Sequence, residues 1–242
     1  MRAISAALGF VALLLIASPA HAQTESGAEF EISLVTFGPG EIYWERFGHN
    51  AIRVIDRAVG TDTAYNYGIF DFAEDDFLLN FARGRMRYRI AAGDTADDLA
   101  FYAQEGRWIV EQKLNLAPAQ RSALVTFLET NRRPENAYYR YDYFVDNCST
   151  RVRDALDRAL GGAIRAALVA PSRGFTYRMH ADRLMAPDFA LMLGIDAGLG
   201  PFADRRLSAW DESFVPMALM EHLRDLRVGD VVYLTGHIVT CR

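Results

Sequence analysis

The stretch Tyr141-Asp-Tyr-Phe-Val-Asp-Asn-Cys-Ser-Thr-Arg-Val-Arg153 places one cysteine at the first turn of a predicted helix. Apolar residues recur after it at helical spacing, and Gly161-Gly162 ends the pattern. Asn147 or Asp146 is a suitable N-cap, so free backbone N–H groups and the helix dipole favour a thiolate at Cys148. This position is typical of a nucleophile, although a buried structural thiol is the alternative.

A cysteine nucleophile needs a base, and the chain contains five histidines: His21, His49, His180, His222 and His237. His49 stands out because a Gly-His pair begins an apolar segment that is typical of a buried strand. We therefore expect His49 to be the base, with Asn66 on the next strand orienting its ring and Tyr67 as the second choice. The alternative is a structural histidine at the end of a strand.

Further site residues follow from the position of the cysteine. The oxyanion hole is expected to use the backbone N–H of Cys148 and the side chain of Asn147, with Asp146 in support. Arg151 lies one turn after the cysteine, where it would hold an anionic head group or remain a solvated charge. Tyr67 and Tyr143 are further expected substrate contacts. His180 and His222 lack metal-ligand spacing, so we predict neither a metal nor a cofactor.

Three segments resemble the Lnb N-terminal periplasmic domain family: Phe47-Gly-His-Asn-Ala-Ile-Arg53, Asn66-Tyr-Gly-Ile-Phe-Asp-Phe72 and Asp146-Asn-Cys-Ser-Thr-Arg-Val-Arg-Asp154. With weaker matches, the resemblance covers roughly residues 30 to 227. It implies a circularly permuted papain-like, NlpC-type fold in which histidine precedes cysteine. Its membrane-anchored members are lipoprotein N-acyltransferases that work through a thioester. The implied partners are lipid or lipoprotein acyl donors and acceptors of the cell envelope, and a membrane protein.

Two other functions stay open. The segment from Gly229 to Val239 resembles the histidine strand of unpermuted NlpC-type peptidoglycan peptidases, in which His237 would be the base. Asn147-Cys-Ser-Thr differs, however, from the Asp-Cys-Ser-Gly pattern of those peptidases. The third hypothesis for the function is a non-catalytic binding module on the same fold.

Composition and the N-terminal segment indicate the cellular location of the protein and the class of its partners. Arg2, an apolar run from Ala6 to Ala17 and Ala20-His-Ala22 predict a signal peptide over residues 1–22, followed by one domain over residues 23–242 in the periplasm. The net charge of −5 argues against nucleic acid as a partner. An exported chain with two cysteines also invites a disulfide between Cys148 and Cys241, although a penultimate residue is prone to fray.

The pattern of the remaining chain predicts an α+β fold with an antiparallel sheet packed against the cysteine helix. Strands are expected at residues 30–34, 49–55, 64–72, 86–90, 108–116 and 231–234. Helices are expected around residues 77–81, from 95 onward, at 118–133 and at 216–226. Residues 171–200 show weak periodicity and are predicted to be a surface loop that forms a lid over the site or a substrate channel.

Overall fold

The computed structural model describes residues 25–70, 87–228, 231–232 and 234–239. Its strands are β1 (Phe30–Phe37), β2 (His49–Asp56), β3 (Thr61–Ile69), β4 (Arg87–Asp94), β5 (Ile109–Lys113), β6 (Tyr138–Arg140), β7 (Arg227–Val228), β8 (Val231–Val232) and β9 (Leu234–Val239). Seven of them form an antiparallel sheet in the order β6-β4-β3-β2-β1-β5-β9. Strands β7 and β8 form a separate ribbon.

The helices are α1 (Thr95–Gln104), α2 (Pro118–Asn131), α3 (Cys148–Ala159), α4 (Ala163–Leu168), α5 (Tyr177–Met185), α6 (Phe189–Gly198), α7 (Ala209–Glu212) and α8 (Pro216–Asp225). Two 3₁₀ turns, Tyr43–Glu45 and Pro201–Asp204, lie in the connections. None of the helices in the described ranges is both long and apolar enough to cross a membrane.

Different helices cover the two faces of the sheet because successive side chains along a strand point in opposite directions. Ile52 and Val54 of β2 lie in the main core with residues of α2 and α3. Ala51 of β2 and Phe37 of β1 pack on the opposite face, against Tyr102 of α1. The sheet therefore separates the apolar stripe of the cysteine helix from α1, while Cys148 at the first residue of that helix lies near the start of β2.

Helix α3 packs on β2 and β3 through an apolar stripe formed by Val152, Ala155 and Leu156. Gly161 and Gly162 follow its end with left-handed φ values of 64° and 89°, a conformation that favours glycine. The predicted cysteine helix and its glycine stop are confirmed.

A second apolar cluster packs α5 against α8 and the loop that precedes β2. Its buried members include Tyr177, Phe214 and Ala218, and Phe47 reaches it from the loop before His49. The loop is thereby held at the C-terminal helices while the strand that follows it enters the sheet.

The predicted α+β class is confirmed, as are the helices that begin at Pro118 and Pro216. The predicted loop at residues 171–200 is wrong, because α5 and α6 occupy most of it. Thr176 and Asp188 cap these helices. Helix α6 is apolar on most sides and only partly buried, so it lacks the one-sided pattern by which a helix is recognised. The signal peptide and the helix near residues 77–81 lie outside the described residues.

Candidate active site

The N-terminus of α3 is closed by the side chain of Asn147. Asn147 Oδ1 accepts a hydrogen bond from the Thr150 amide at 2.9 Å, and Thr150 Oγ1 accepts one from the Asn147 amide at 2.8 Å. Asn147 Nδ2 donates to the carbonyls of Tyr143 and Phe214, each at 2.9 Å. Both amide hydrogens are therefore committed to the protein, which corrects the expected role of this side chain in an oxyanion hole.

Hydrogen bonds to Asn50 fix the start of α3 against β2. Ser149 Oγ donates to Asn50 Oδ1 at 2.8 Å, and Asn50 Nδ2 donates to Thr36 Oγ1 at 2.8 Å. The backbone N–H groups of Asn50, Cys148 and Ser149 point at the half-buried thiol of Cys148. Because Asn50 directly follows His49, the same contacts bring the cysteine to the start of the histidine strand.

The structure favours a thiol over a thiolate at Cys148. Burial raises its pKa to about 11, against the opposing effect of the three amide groups and of the Arg107 charge. Desolvation of the ionised form thus outweighs the helix terminus. The expected lowering of the cysteine pKa is therefore wrong for this resting arrangement.

His49 is the second member of the site, and its ring is held by a chain of polar contacts. Its Nε2 lies 2.9 Å from Asn66 Oδ1, and Asn66 Nδ2 donates to Asp98 Oδ2 at 2.6 Å. A carboxylate only accepts hydrogen bonds, so Asp98 fixes which end of the Asn66 amide faces the histidine. Nε2 then carries the proton, and Nδ1 is left with a free lone pair.

His49 is neutral at physiological pH. Burial lowers its pKa to about 4, the hydrogen bond to Asn66 raises it, and the charge of Arg107 lowers it further. The ring lies beside the stacked pair of Phe37 and Tyr102, whose centroids are 3.8 Å apart, with its own centroid 6.0 Å from each of them. Among the described residues, the ring makes no hydrogen bond to the thiol, and both the thiol and the imidazole are neutral in the resting site.

Sequence reasoning missed Asp98 and the electrostatic role of Arg107. Asp98 lies in the first turn of α1, where acidic residues usually complement the helix dipole, so no sequence signal separates it from its neighbour Asp97. The Arg107 side chain donates to the Gly38 carbonyl at 2.6 Å and lies 4.5 Å from the centre of the Tyr102 ring. Its charge is thereby held near both Cys148 and His49, where it lowers the pKa of each.

The two tyrosines expected at the site have different positions. Tyr67 is 2% exposed and packs in the main core with α3. It cannot orient His49 or contact a substrate, because it points to the face opposite Asn66. Tyr143 is 37% exposed and packs edge-on against Phe47, with ring centroids 4.7 Å apart. Its side chain is the more exposed of the two, so a contact between Tyr143 and a substrate stays a prediction.

Arg151 and Asp146 form a pair of their own. Two guanidinium nitrogens of Arg151 donate to the Asp146 carboxylate, one of them at 2.7 Å. The guanidinium carbon also lies 4.0 Å from the centre of the Tyr139 ring. The charge of Arg151 is thus balanced by Asp146, and the expected roles of both residues at the site stay predictions.

The alternative base, His237, lies far from the cysteine helix in the sheet. Its backbone pairs with Glu111 of β5 in strand β9, at the edge of the sheet. Three strand steps separate β9 from β2, which at a spacing of about 4.8 Å amounts to about 14 Å. This register favours His49 as the partner of Cys148. Cys241 lies outside the described residues, and the groups that could bind a metal form no cluster within the described ranges.

The pH dependence of alkylation tests the protonation state of Cys148. In a Cys241→Ser variant, iodoacetamide should label Cys148 more slowly at pH 7.5 than it labels free cysteine, because the reactive thiolate is scarce below a pKa of about 11. The rate should keep rising through pH 9, whereas the unfolded chain should titrate near the ordinary value of about 8.5. Fast labelling that levels off below pH 7 would instead establish a thiolate–imidazolium pair.

Comparisons with known proteins identify the family. No curated protein and no solved structure matches the chain. The sequence model of the Lnb N-terminal periplasmic domain matches residues 18–183, which is more than half of the chain and includes His49, Asn66, Asp98 and Cys148. The match supports a periplasmic location. The chain belongs to the Lnb N-terminal periplasmic domain family.

Proposed function

We propose that this protein is a periplasmic cysteine-dependent acyltransferase or hydrolase that forms a thioester on Cys148. The observation that carries the proposal is the chain of contacts from Asp98 through Asn66 to His49, beside a thiol that faces three backbone N–H groups. Nucleophile, base and orienting amide are the parts of a thiol acyl-transfer site. Their order along the chain agrees with a permuted papain-like fold, which we include in the proposal.

The reaction follows from the protonation states. Cys148 Sγ attacks the carbonyl carbon of an ester while its proton passes to His49 Nδ1, and the carbonyl electron pair moves onto the oxygen. The oxyanion then collapses, and the leaving alcohol takes the proton from His49. An amine or a water molecule attacks the thioester in the same way and restores the thiol. His49 is suited to this exchange because its neutral ring accepts a proton and then returns it.

The rim of the site suits a donor with an apolar chain. Large apolar side chains are exposed in the loop before His49 and in the segment before Cys148: Ile42, Tyr43, Trp44, Tyr143 and Val145 are 37–51% exposed. The contact between Phe47 and Tyr143 joins these two loops. Tyrosine and tryptophan prefer the boundary between apolar and aqueous surroundings. We therefore propose a phospholipid or lipoprotein ester as the donor, and the amino group of a lipidated N-terminal cysteine as the acceptor.

Product analysis tests the substrate class. The wild-type protein is incubated with vesicles that contain a diacyl phospholipid and a diacylated lipopeptide with a free amino terminus, with Cys148→Ala as the control. We expect lyso-lipid together with N-acylated lipopeptide, or free fatty acid if water is the acceptor. Cleavage of peptidoglycan peptides without turnover of lipid esters would replace the proposal with a peptidase. Binding without any turnover would favour a binding module.

A further inference from the structure

The hydroxyl group of Tyr139 is buried near the candidate nucleophile: the backbone N–H of Gly68 is directed at its oxygen, but its own proton has no hydrogen-bond acceptor among the described residues. Tyr139 belongs to β6, which pairs with β4 at the edge of the sheet. Burial of a hydroxyl proton without an acceptor costs free energy. An unsatisfied buried donor calls for an explanation, and a catalytic role is one of them.

Gly68 defines the space between this hydroxyl and the cysteine. Gly68 has a left-handed φ of 91°, and a Cβ atom placed on it would lie 3.4 Å from Cys148 Cβ and 4.0 Å from Tyr139 Oη. Tyr139 Oη and Cys148 Cβ thus both border the space on the Cβ side of Gly68, and a side chain at residue 68 would occupy that space. A carbonyl oxygen bonded to the carbon that Cys148 attacks would fit this space.

The Asn147 side chain supplies no donor to the candidate oxyanion hole. Asn147 is committed to the helix cap, so the backbone N–H groups at the start of α3 would act without its amide. We propose that the Tyr139 hydroxyl donates a hydrogen bond to the oxyanion formed when Cys148 attacks the substrate. This inference rests on the proposed acyl transfer and adds a catalytic residue to it.

The surroundings of Tyr139 keep its hydroxyl protonated and in place. Burial raises the pKa of Tyr139, and the charge of Cys148 would raise it further, so the group remains a donor at neutral pH. The guanidinium group of Arg151, which is paired with Asp146, lies over the Tyr139 ring. The Tyr67 ring packs edge-on against the Tyr139 ring, with centroids 6.3 Å apart. Arg151 is thereby a positioning residue for Tyr139.

Tyr139→Phe removes the hydroxyl and keeps the ring. With a soluble ester substrate we expect kcat to fall by roughly 10²- to 10³-fold with little change in KM, as for the loss of one oxyanion-hole donor. Tyr67→Phe is the matched control: it removes a phenol hydroxyl from the ring that contacts Tyr139, and its kcat should stay near that of the wild type. Melting temperatures of both variants verify folding.

Binding of a long-chain aldehyde supplies a second measurement. The Cys148 thiol adds to the aldehyde carbonyl, and the hemithioacetal oxygen occupies the place of the oxyanion, so the affinity of folded Tyr139→Phe should fall more than tenfold. A kcat within threefold of the wild type, or unchanged aldehyde affinity, would overturn the role of Tyr139 alone. If the wild type forms no acyl-enzyme, the proposed function itself fails, and this role fails with it.

Discussion

Replacement of His49 by alanine is expected to lower the rate of acyl-enzyme formation by roughly 10²- to 10⁴-fold, the usual cost of losing a positioned base. The physical reason is that the thiol, with a pKa raised to about 11, cannot attack unless a neighbouring group takes its proton. In the wild type the rate should fall only as the pH drops through about 4, because protonation of His49 at that pH removes the acceptor. The rate of acyl-enzyme formation is measured by quenching the reaction at successive times and determining the acylated fraction of the protein by mass spectrometry.

His237→Ala is the matched control and should react at nearly the wild-type rate. Its backbone lies in the edge strand β9, three strands away from β2. Loss of activity in His237→Ala with full activity in His49→Ala would reverse the assignment and shift the function toward peptidoglycan cleavage.

Glu212→Gln is expected to lower the free energy of unfolding by roughly 3–5 kcal/mol, as for removal of one partner from a buried ionic network. The Glu212 side chain is 2% exposed and accepts hydrogen bonds from His180 at 2.9 Å, from His222 at 3.2 Å and from Arg173 at 2.8 and 2.9 Å. Burial alone would raise the pKa of Glu212, but these donors hold it well below its usual range. Urea unfolding measures the change.

The control for Glu212 is Glu221→Gln, which removes an exposed carboxylate from the same Arg173 and should cost only about 0–1 kcal/mol. Because the folded-state pKa of Glu212 is lowered, its contribution is complete above the ordinary glutamate pKa of about 4.3 and is lost as the pH falls below it. Equal effects of the two substitutions would show that the buried network adds little to stability.

Local signals were enough to predict the cysteine helix. A cap at Asn147, apolar spacing through Leu156 and two glycines after Leu160 lie within one short segment, so the sequence alone defines the start and end of α3. The contact between His49 and Asn66 was also predictable, because strands joined by a short turn usually pair. For the same reason the main sheet could be expected from its hairpins.

Features that depend on burial could not be predicted in this way. The cysteine pKa is set by desolvation, which requires the packed structure, and it opposes the helix-terminus effect that the sequence displays. The sequence predicts Tyr67 at the site, but its side chain faces the core. Alternation along a strand shows that Asn66 and Tyr67 point to opposite faces of the sheet, but it does not show which of these faces carries the site. Asp98 and Tyr139 come from distant parts of the chain, and only the sheet brings them to the site.

Intact mass of the protein after brief exposure to a lipid ester tests the central claim most directly. The wild type, denatured in acid to preserve a thioester, should gain the mass of one acyl chain, and neutral hydroxylamine should remove it. Peptide mapping should place the adduct on Cys148, and Cys148→Ala should gain nothing. An unmodified wild type that nevertheless hydrolyses the ester, or an adduct that persists in Cys148→Ala, would contradict catalysis through Cys148.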